Sequence, residues 1–242
     1  MAIRPLRRWL RDPLRGAAAL STLTFLALAA LAVHDYLGKV DQGVRHLVLH
    51  THHDPVLGAG MGAITVLGDA PGLIPLIALV SAGAWFSNRR HALLIPLFMA
   101  GTGVLQLVAK RLIDRPRPNL EPWGFPSGHV LSLVVLLGLA AYVLSGSRAR
   151  RRWRVLGAAL AAAILIMVAA SRLYLDMHWI SDVLGGFTLG LAYLLAALLV
   201  LERGGGRRPV AGPGQAGSFA YMSWTSAPWK RATWLVGGRG SE

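Results

Sequence analysis

Six apolar runs dominate this chain, and their lengths leave few folds open to it. They cover residues 17–37, 71–87, 92–109, 129–146, 155–174 and 184–202. Crossing about 30 Å of hydrocarbon takes about 20 helical residues. In lipid each backbone N–H and C=O must be paired within the protein, so such runs form helices. The expectation is an all-α polytopic membrane protein, a six-transmembrane-helix bundle. The second, third and fourth runs are short, which suits spans that are packed centrally or tilted little. Arg4, Arg7, Arg8, Arg11 and Arg15 precede the first run, as in a signal peptide. The run's length and the bulky, polar "VHDYLGKVDQ" after it favour an uncleaved span.

Charge placement orients the bundle. Charged residues make up only 15% of the chain, yet the formal net charge is +14. With the N-terminus in the cytoplasm and the spans alternating, eighteen of the 25 Lys and Arg residues fall on inside segments. These are the N-terminus, Arg89 and Arg90, the Arg-rich stretch 148–154, and the residues from Arg203 onward. That is the positive-inside pattern. It accounts for the net charge without nucleic acid, because the basic residues are split among membrane-flanking segments instead of forming one footprint. The chain has no cysteine, which excludes disulfides and Cys-ligated metal.

Three motifs lie on the outside segments, where the basic excess runs against the trend. "KRLIDRPRP", 110–118, carries Lys110 and then Arg117-Pro118. Both side chains bind phosphate, Arg as a planar fork and Lys as a point charge. "PSGH", 126–129, precedes an apolar run directly. Ser127 is a favoured N-cap, the helix start attracts an anion, and Gly128 lets an oxyanion approach the backbone. His129 is placed to give or take a proton near neutral pH. "SRLYLDMHWISD", 171–182, ends one run with Ser171-Arg172 and opens the next with His178 and Asp182. At spacing i, i+4 a carboxylate can hold one imidazole nitrogen protonated and leave the other as a nucleophile. Asp176 precedes His178 by only two residues and suits that role less well. Each motif alone has a plain reading as a snorkelling cluster, a capped helix or a surface pair. All three on one membrane face do not.

Lys, six residues, Arg-Pro; Pro-Ser-Gly-His; and Ser-Arg, five residues, His, three residues, Asp together resemble the signature of the type-2 phosphatidic acid phosphatase family. The match covers residues 110–182 by motif, and the six-span plan extends it over about 1–202. The resemblance implies a metal-independent membrane phosphatase acting on lipid phosphates, with no cofactor. Vanadium haloperoxidases share this site on a soluble scaffold. By resemblance, Lys110, Arg117, Arg172, Ser127 and Gly128 bind the phosphoryl oxygens. His178 is the nucleophile and forms a phosphohistidine. Asp182 orients it, and His129 protonates the leaving oxygen and then activates water. Arg111 and Arg115 stay outside this core set.

The competing readings are a lipid phosphotransferase on the same scaffold and a small transporter. Transporter sites lie near the bilayer midplane on broken helices, whereas these motifs sit at helix ends. The expected location is the plasma or inner membrane, with both termini cytoplasmic and the active site periplasmic or extracellular. The fitting lipids are phosphatidic acid, phosphatidylglycerol phosphate, a polyprenyl diphosphate and a lipid A phosphate. An outer-face site in a bacterial host favours undecaprenyl diphosphate or phosphatidylglycerol phosphate.

Two further segments carry less. His46, His50, His53 and Asp54 have partly helical spacing, but the segment 45–55 reads as interfacial, resting on the outer leaflet. The lipid phosphatase domain is taken as 1–203. The stretch 204–242, opening with "GGGRRPVAGPGQAG", has the composition of a flexible cytoplasmic tail.

Overall fold

The structure, a computed structural model, describes residues 13–50, 54–147 and 149–203. Among them are eight α-helices and no strand: α1 (Pro13–Val33), α2 (Gly38–Leu49), α3 (Pro55–Thr65), α4 (Ala70–Trp85), α5 (Arg89–Ile113), α6 (Gly128–Gly146), α7 (Arg151–Tyr174) and α8 (Ile180–Arg203). The tail read at 204–242 lies outside the described residues, as does His53.

Helices α1, α5, α6, α7 and α8 are each long and apolar enough to cross a bilayer. The second run differs from expectation. Its helix, α4, has only 16 residues. It is joined through a 3₁₀ turn, Val66–Gly68, to α3, and the pair is bent by 50°. Local chemistry marks the two helix starts. Asp54 caps α3, accepting from the Val56 and Leu57 N–H groups at 2.8 and 3.2 Å. The start of α4 carries Pro71, which fits a first turn but cannot continue a preceding helix. The third run is longer than its apolar stretch, because α5 extends to Ile113. It begins where Asn88 accepts from the Arg90 N–H at 3.0 Å. It ends at Asp114, which is left-handed with φ 42°.

Helix α6 is the centre of the bundle. Val130, Leu131, Leu133, Val135, Leu136 and Leu139 are almost wholly buried. Leu20, Leu23, Leu93, Leu97, Leu160 and Ile166 on the outer helices are exposed. Such a belt would be an aggregation hazard in water and is the ordinary lipid-facing surface of a membrane bundle. Between apolar helices in lipid, association rests on close packing. Gly190 of α8 shows it: a Cβ there would lie 2.9 Å from the Leu131 carbonyl oxygen of α6. At Gly186 a Cβ would run into the Ser127 carbonyl, so that glycine lets the start of α6 sit directly on α8.

Candidate active site

The alternation of helices brings the end of α5, the start of α6, the end of α7 and the start of α8 to one end of the bundle. The segment 114–127 links two of these ends and is cross-tied by its own backbone. Gly124 N–H donates to Arg115 O at 2.7 Å, and Arg117 N–H donates to Glu121 O at 2.8 Å. The Ser127 N–H donates to the Asp182 carbonyl at 2.9 Å, which joins the second motif to the third.

His178 and Asp182 form the expected pair, with Nδ1 3.3 Å from Asp182 Oδ2. Both are deeply buried. Oδ2 also accepts from the Trp179 N–H at 3.0 Å, and Oδ1 accepts from Arg115 at 3.2 Å. The Trp179 N–H and Arg115 donate to Asp182, and its contact with His178 Nδ1 suits the tautomer that carries the proton on Nδ1. In that tautomer the lone pair is left on Nε2. Burial pushes the His178 imidazole below its ordinary range; Asp182 opposes this, while Arg172 and Lys110 add to it. Burial thus favours the neutral ring, the form a nucleophile needs.

The cations converge on this pair. Lys110 lies within electrostatic reach of Arg117, Arg172 and Asp182. Arg172 donates to Thr65 Oγ1 at 2.8 Å. His129 lies within electrostatic reach of Arg172 and His178. Its Nε2 is 2.8 Å from Asp69 Oδ1, a close contact outside hydrogen-bond alignment that becomes an ion pair only when the ring is protonated. Gly128 faces Gln106, whose Oε1 occupies the space a Cβ would need.

Among the described residues, five buried side-chain atoms have no hydrogen-bond partner: Ser81 Oγ, Arg117 Nε, Ser127 Oγ, His129 Nε2 and Arg172 Nε. Burying a polar group unpaired costs about 1–3 kcal/mol. Four of the five belong to motif residues. Ser127 departs from the simple capping role, since it occupies the N-cap of α6 without a side-chain cap bond. Its hydroxyl is left over for something else. These guanidinium, ammonium, hydroxyl and helix-start N–H groups surround a carboxylate-backed imidazole, an arrangement able to bind an oxyanion.

Several neighbours were not legible as site residues. Thr65 and Asp69 come from the break between α3 and α4. Asp41 comes from α2, and Arg115 and Ser181 lie inside the motif stretches 110–118 and 171–182 but carried no assigned role. For Asp69 a signal existed, because an Asp before Ala-Pro at the start of an apolar run marks a helix N-terminus. Its side chain makes no cap bond and meets His129 instead. Among the described residues no three His, Asp or Glu side chains group to hold a metal ion; Asp54 is an N-cap, and His52 and His53 lie outside the described residues.

Known proteins resemble this chain over most of its length. The PAP2 superfamily model matches residues 91–204. Phosphatidylglycerophosphatase B of Bacillus subtilis (strain 168) is 33% identical over 181 residues, spanning 70% of this chain and 87% of that protein. Lipid phosphate phosphatase delta of Arabidopsis thaliana is 30% identical over 137 residues, 49% of this chain and 33% of that protein. The crystal structure of a transmembrane PAP2 type phosphatidylglycerolphosphate phosphatase from Bacillus subtilis matches with a TM-score of 0.70 at 29% identity. It covers 77% of this chain and 96% of that one. With motifs, bundle and relatives in agreement, the chain belongs to the PAP2 superfamily and is a multi-pass membrane phosphatase.

Proposed function

We propose that this phosphatase hydrolyses a lipid phosphomonoester or diphosphate at the outer membrane face through a phosphohistidine. The observation that carries the reading is the set of buried, unpartnered donors at Arg117, Ser127 and Arg172 around the His178–Asp182 pair. In the first step His178 Nε2 attacks phosphorus in line. The bond to the leaving oxygen breaks, and His129 gives that oxygen its proton. Lys110, Arg117, Arg172, Ser127 and the Gly128 N–H hold the equatorial oxygens, where charge is spread in the transition state. In the second step His129 takes a proton from water, whose oxygen attacks phosphorus. The P–N bond breaks, and inorganic phosphate leaves with His178 neutral again. Three fixed cations and a helix start supply the stabilisation that a metal ion gives in other phosphatases. The similar Bacillus subtilis protein and the similar Bacillus subtilis crystal structure both carry the name of a phosphatidylglycerol phosphate phosphatase, so phosphatidylglycerol phosphate is the first substrate to try.

The test is phosphate release by purified protein in EDTA, with phosphatidylglycerol phosphate, phosphatidic acid and undecaprenyl diphosphate as substrates. The native chain should turn over at least one of them, and His178→Ala none. If His178→Ala keeps more than about a tenth of the rate, less than about 1.4 kcal/mol of effect, the nucleophile is another group. Loss of activity in EDTA that returns with a divalent ion overturns the metal-independent mechanism.

A further inference from the structure

Helix α2 has only 12 residues, about 18 Å at the helical rise, too short to cross the bilayer. One carboxylate on it is nevertheless buried: Asp41 is 1% exposed. Burying a charge is costly unless it is paired and hydrogen-bonded, and Asp41 is fully compensated. Oδ2 accepts from Arg115 Nη2 and from Ser181 Oγ, each at 2.7 Å, and Oδ1 accepts from the Ser181 N–H at 3.0 Å. One turn on, Arg45 shares the same helix face. Its guanidinium grips Asp176 through both oxygens, at 2.8 and 2.6 Å. Between these anchors the Trp179 ring lies near two guanidinium carbons, Arg45 at 5.7 Å and Arg115 at 5.8 Å. Its Nε1 donates to Pro116 O at 3.1 Å.

One face of α2 thus holds the segment 176–182 on both sides of His178. Arg115 extends the grip to the reacting pair. While Nη2 is on Asp41, Nη1 donates to Ser181 Oγ at 2.6 Å and to Asp182 Oδ1 at 3.2 Å. The other oxygen of Asp182 faces His178 Nδ1. The result is a buried relay of alternating charge, Asp41, Arg115, Asp182 and then the imidazole. Neither Asp41 nor Arg45 makes a hydrogen bond or ion pair to Lys110, Arg117, Ser127, His129 or Arg172.

We propose that Asp41 and Arg45 are positioning residues: together with Arg115 they fix the Asp182 carboxylate and the 176–182 segment so that His178 presents Nε2 to phosphorus. The proposal rests on the reading of His178 as the nucleophile. Without the Asp41 anion, Arg115 would be free to tilt and would direct its whole charge at Asp182. Both changes weaken the Nδ1–H bond that keeps the attacking nitrogen aimed and basic. The oxyanion cradle is untouched, so phosphate should still bind.

The experiment measures kcat, KM and the inhibition constant of inorganic phosphate for the full chain in detergent, with His178→Ala as the control. For Asp41→Asn, kcat should fall about ten- to a hundredfold, the loss expected for one hydrogen bond to a charged group. KM and the phosphate inhibition constant should stay within about threefold. Arg45 is part-exposed, so Arg45→Gln strands no deeply buried charge and should fold even if Asp41→Asn does not. Its kcat should fall about three- to tenfold with the same split. A kcat within twofold of native for Arg45→Gln, or for a folded Asp41→Asn, overturns the proposal. So does a fall in kcat matched by an equal loss of phosphate affinity, the mark of a merely structural helix. An active His178→Ala would instead overturn the phosphohistidine reading.

Discussion

Replacing Asp182 by Asn tests the core of the mechanism with the smallest change in shape. The carboxylate is wholly buried and accepts from His178 Nδ1, the Trp179 N–H and Arg115. An Asn there turns one acceptor oxygen into an NH₂ donor. If the NH₂ faces His178, Nδ1 must become the acceptor and Nε2 takes the proton, which removes the nucleophilic lone pair. If the carbonyl faces His178, the tautomer survives but the charge that stabilises the imidazolium form is gone. Tautomer loss at a carboxylate-backed histidine costs about 10⁴ in kcat in serine proteases, and a lost charged hydrogen bond costs about 1.5–3 kcal/mol. The expected fall in kcat is about 10³–10⁴-fold, about 4–5.5 kcal/mol. Folding should survive, because Arg115 keeps Asp41 at 2.7 Å and is not stranded. The assay is phosphate release in detergent, with size-exclusion elution and thermal unfolding measured beside it. A folded Asp182→Asn chain within tenfold of native kcat refutes the carboxylate–imidazole argument.

Two further outcomes follow from the same geometry. The proposed attack needs a neutral His178, and its proton affinity is lowered by burial, Arg172 and Lys110 against the pull of Asp182. As pH falls through that lowered value the ring protonates and the rate drops. The acid limb of kcat/KM should therefore lie below the ordinary imidazole value of about 6.5, and a limb at or above it counts against the assignment. Sidedness can be read by single-cysteine labelling, which is clean because the chain has none. Asn119→Cys, exposed in the 114–127 segment, should react with an impermeant maleimide in intact cells or spheroplasts. Ser145→Cys, exposed at the far end of α6, should react only after lysis, and the reverse pattern overturns the outer-face site.

Much of the fold was legible because lipid imposes a simple rule. A run of about 20 apolar residues must close its hydrogen bonds within itself, so five spans could be read from length alone. The second was legible only in part. Hydropathy finds 71–87, but not the shorter helix Pro55–Thr65 that a 3₁₀ turn at Val66–Gly68 joins to it with a bend of 50°. Ser127 is similar: propensity places it at the N-cap, whereas its hydroxyl, buried beside α8, makes no cap bond.

The sequence by itself determined the class of chemistry, because catalytic residue types at set spacings on helix ends survive without knowledge of packing. It also determined the pairing of His178 with Asp182, since i, i+4 neighbours meet on any helix turn. What only the tertiary structure decided is the surrounding shell. Asp69 meets His129, Thr65 meets Arg172 and Asp41 meets Arg115 across 60, 107 and 74 positions of chain. No local pattern encodes such partners. They are selected by the buried charges themselves, which in a low-dielectric bundle must find a counter-charge or a hydrogen bond wherever the packed helices present one.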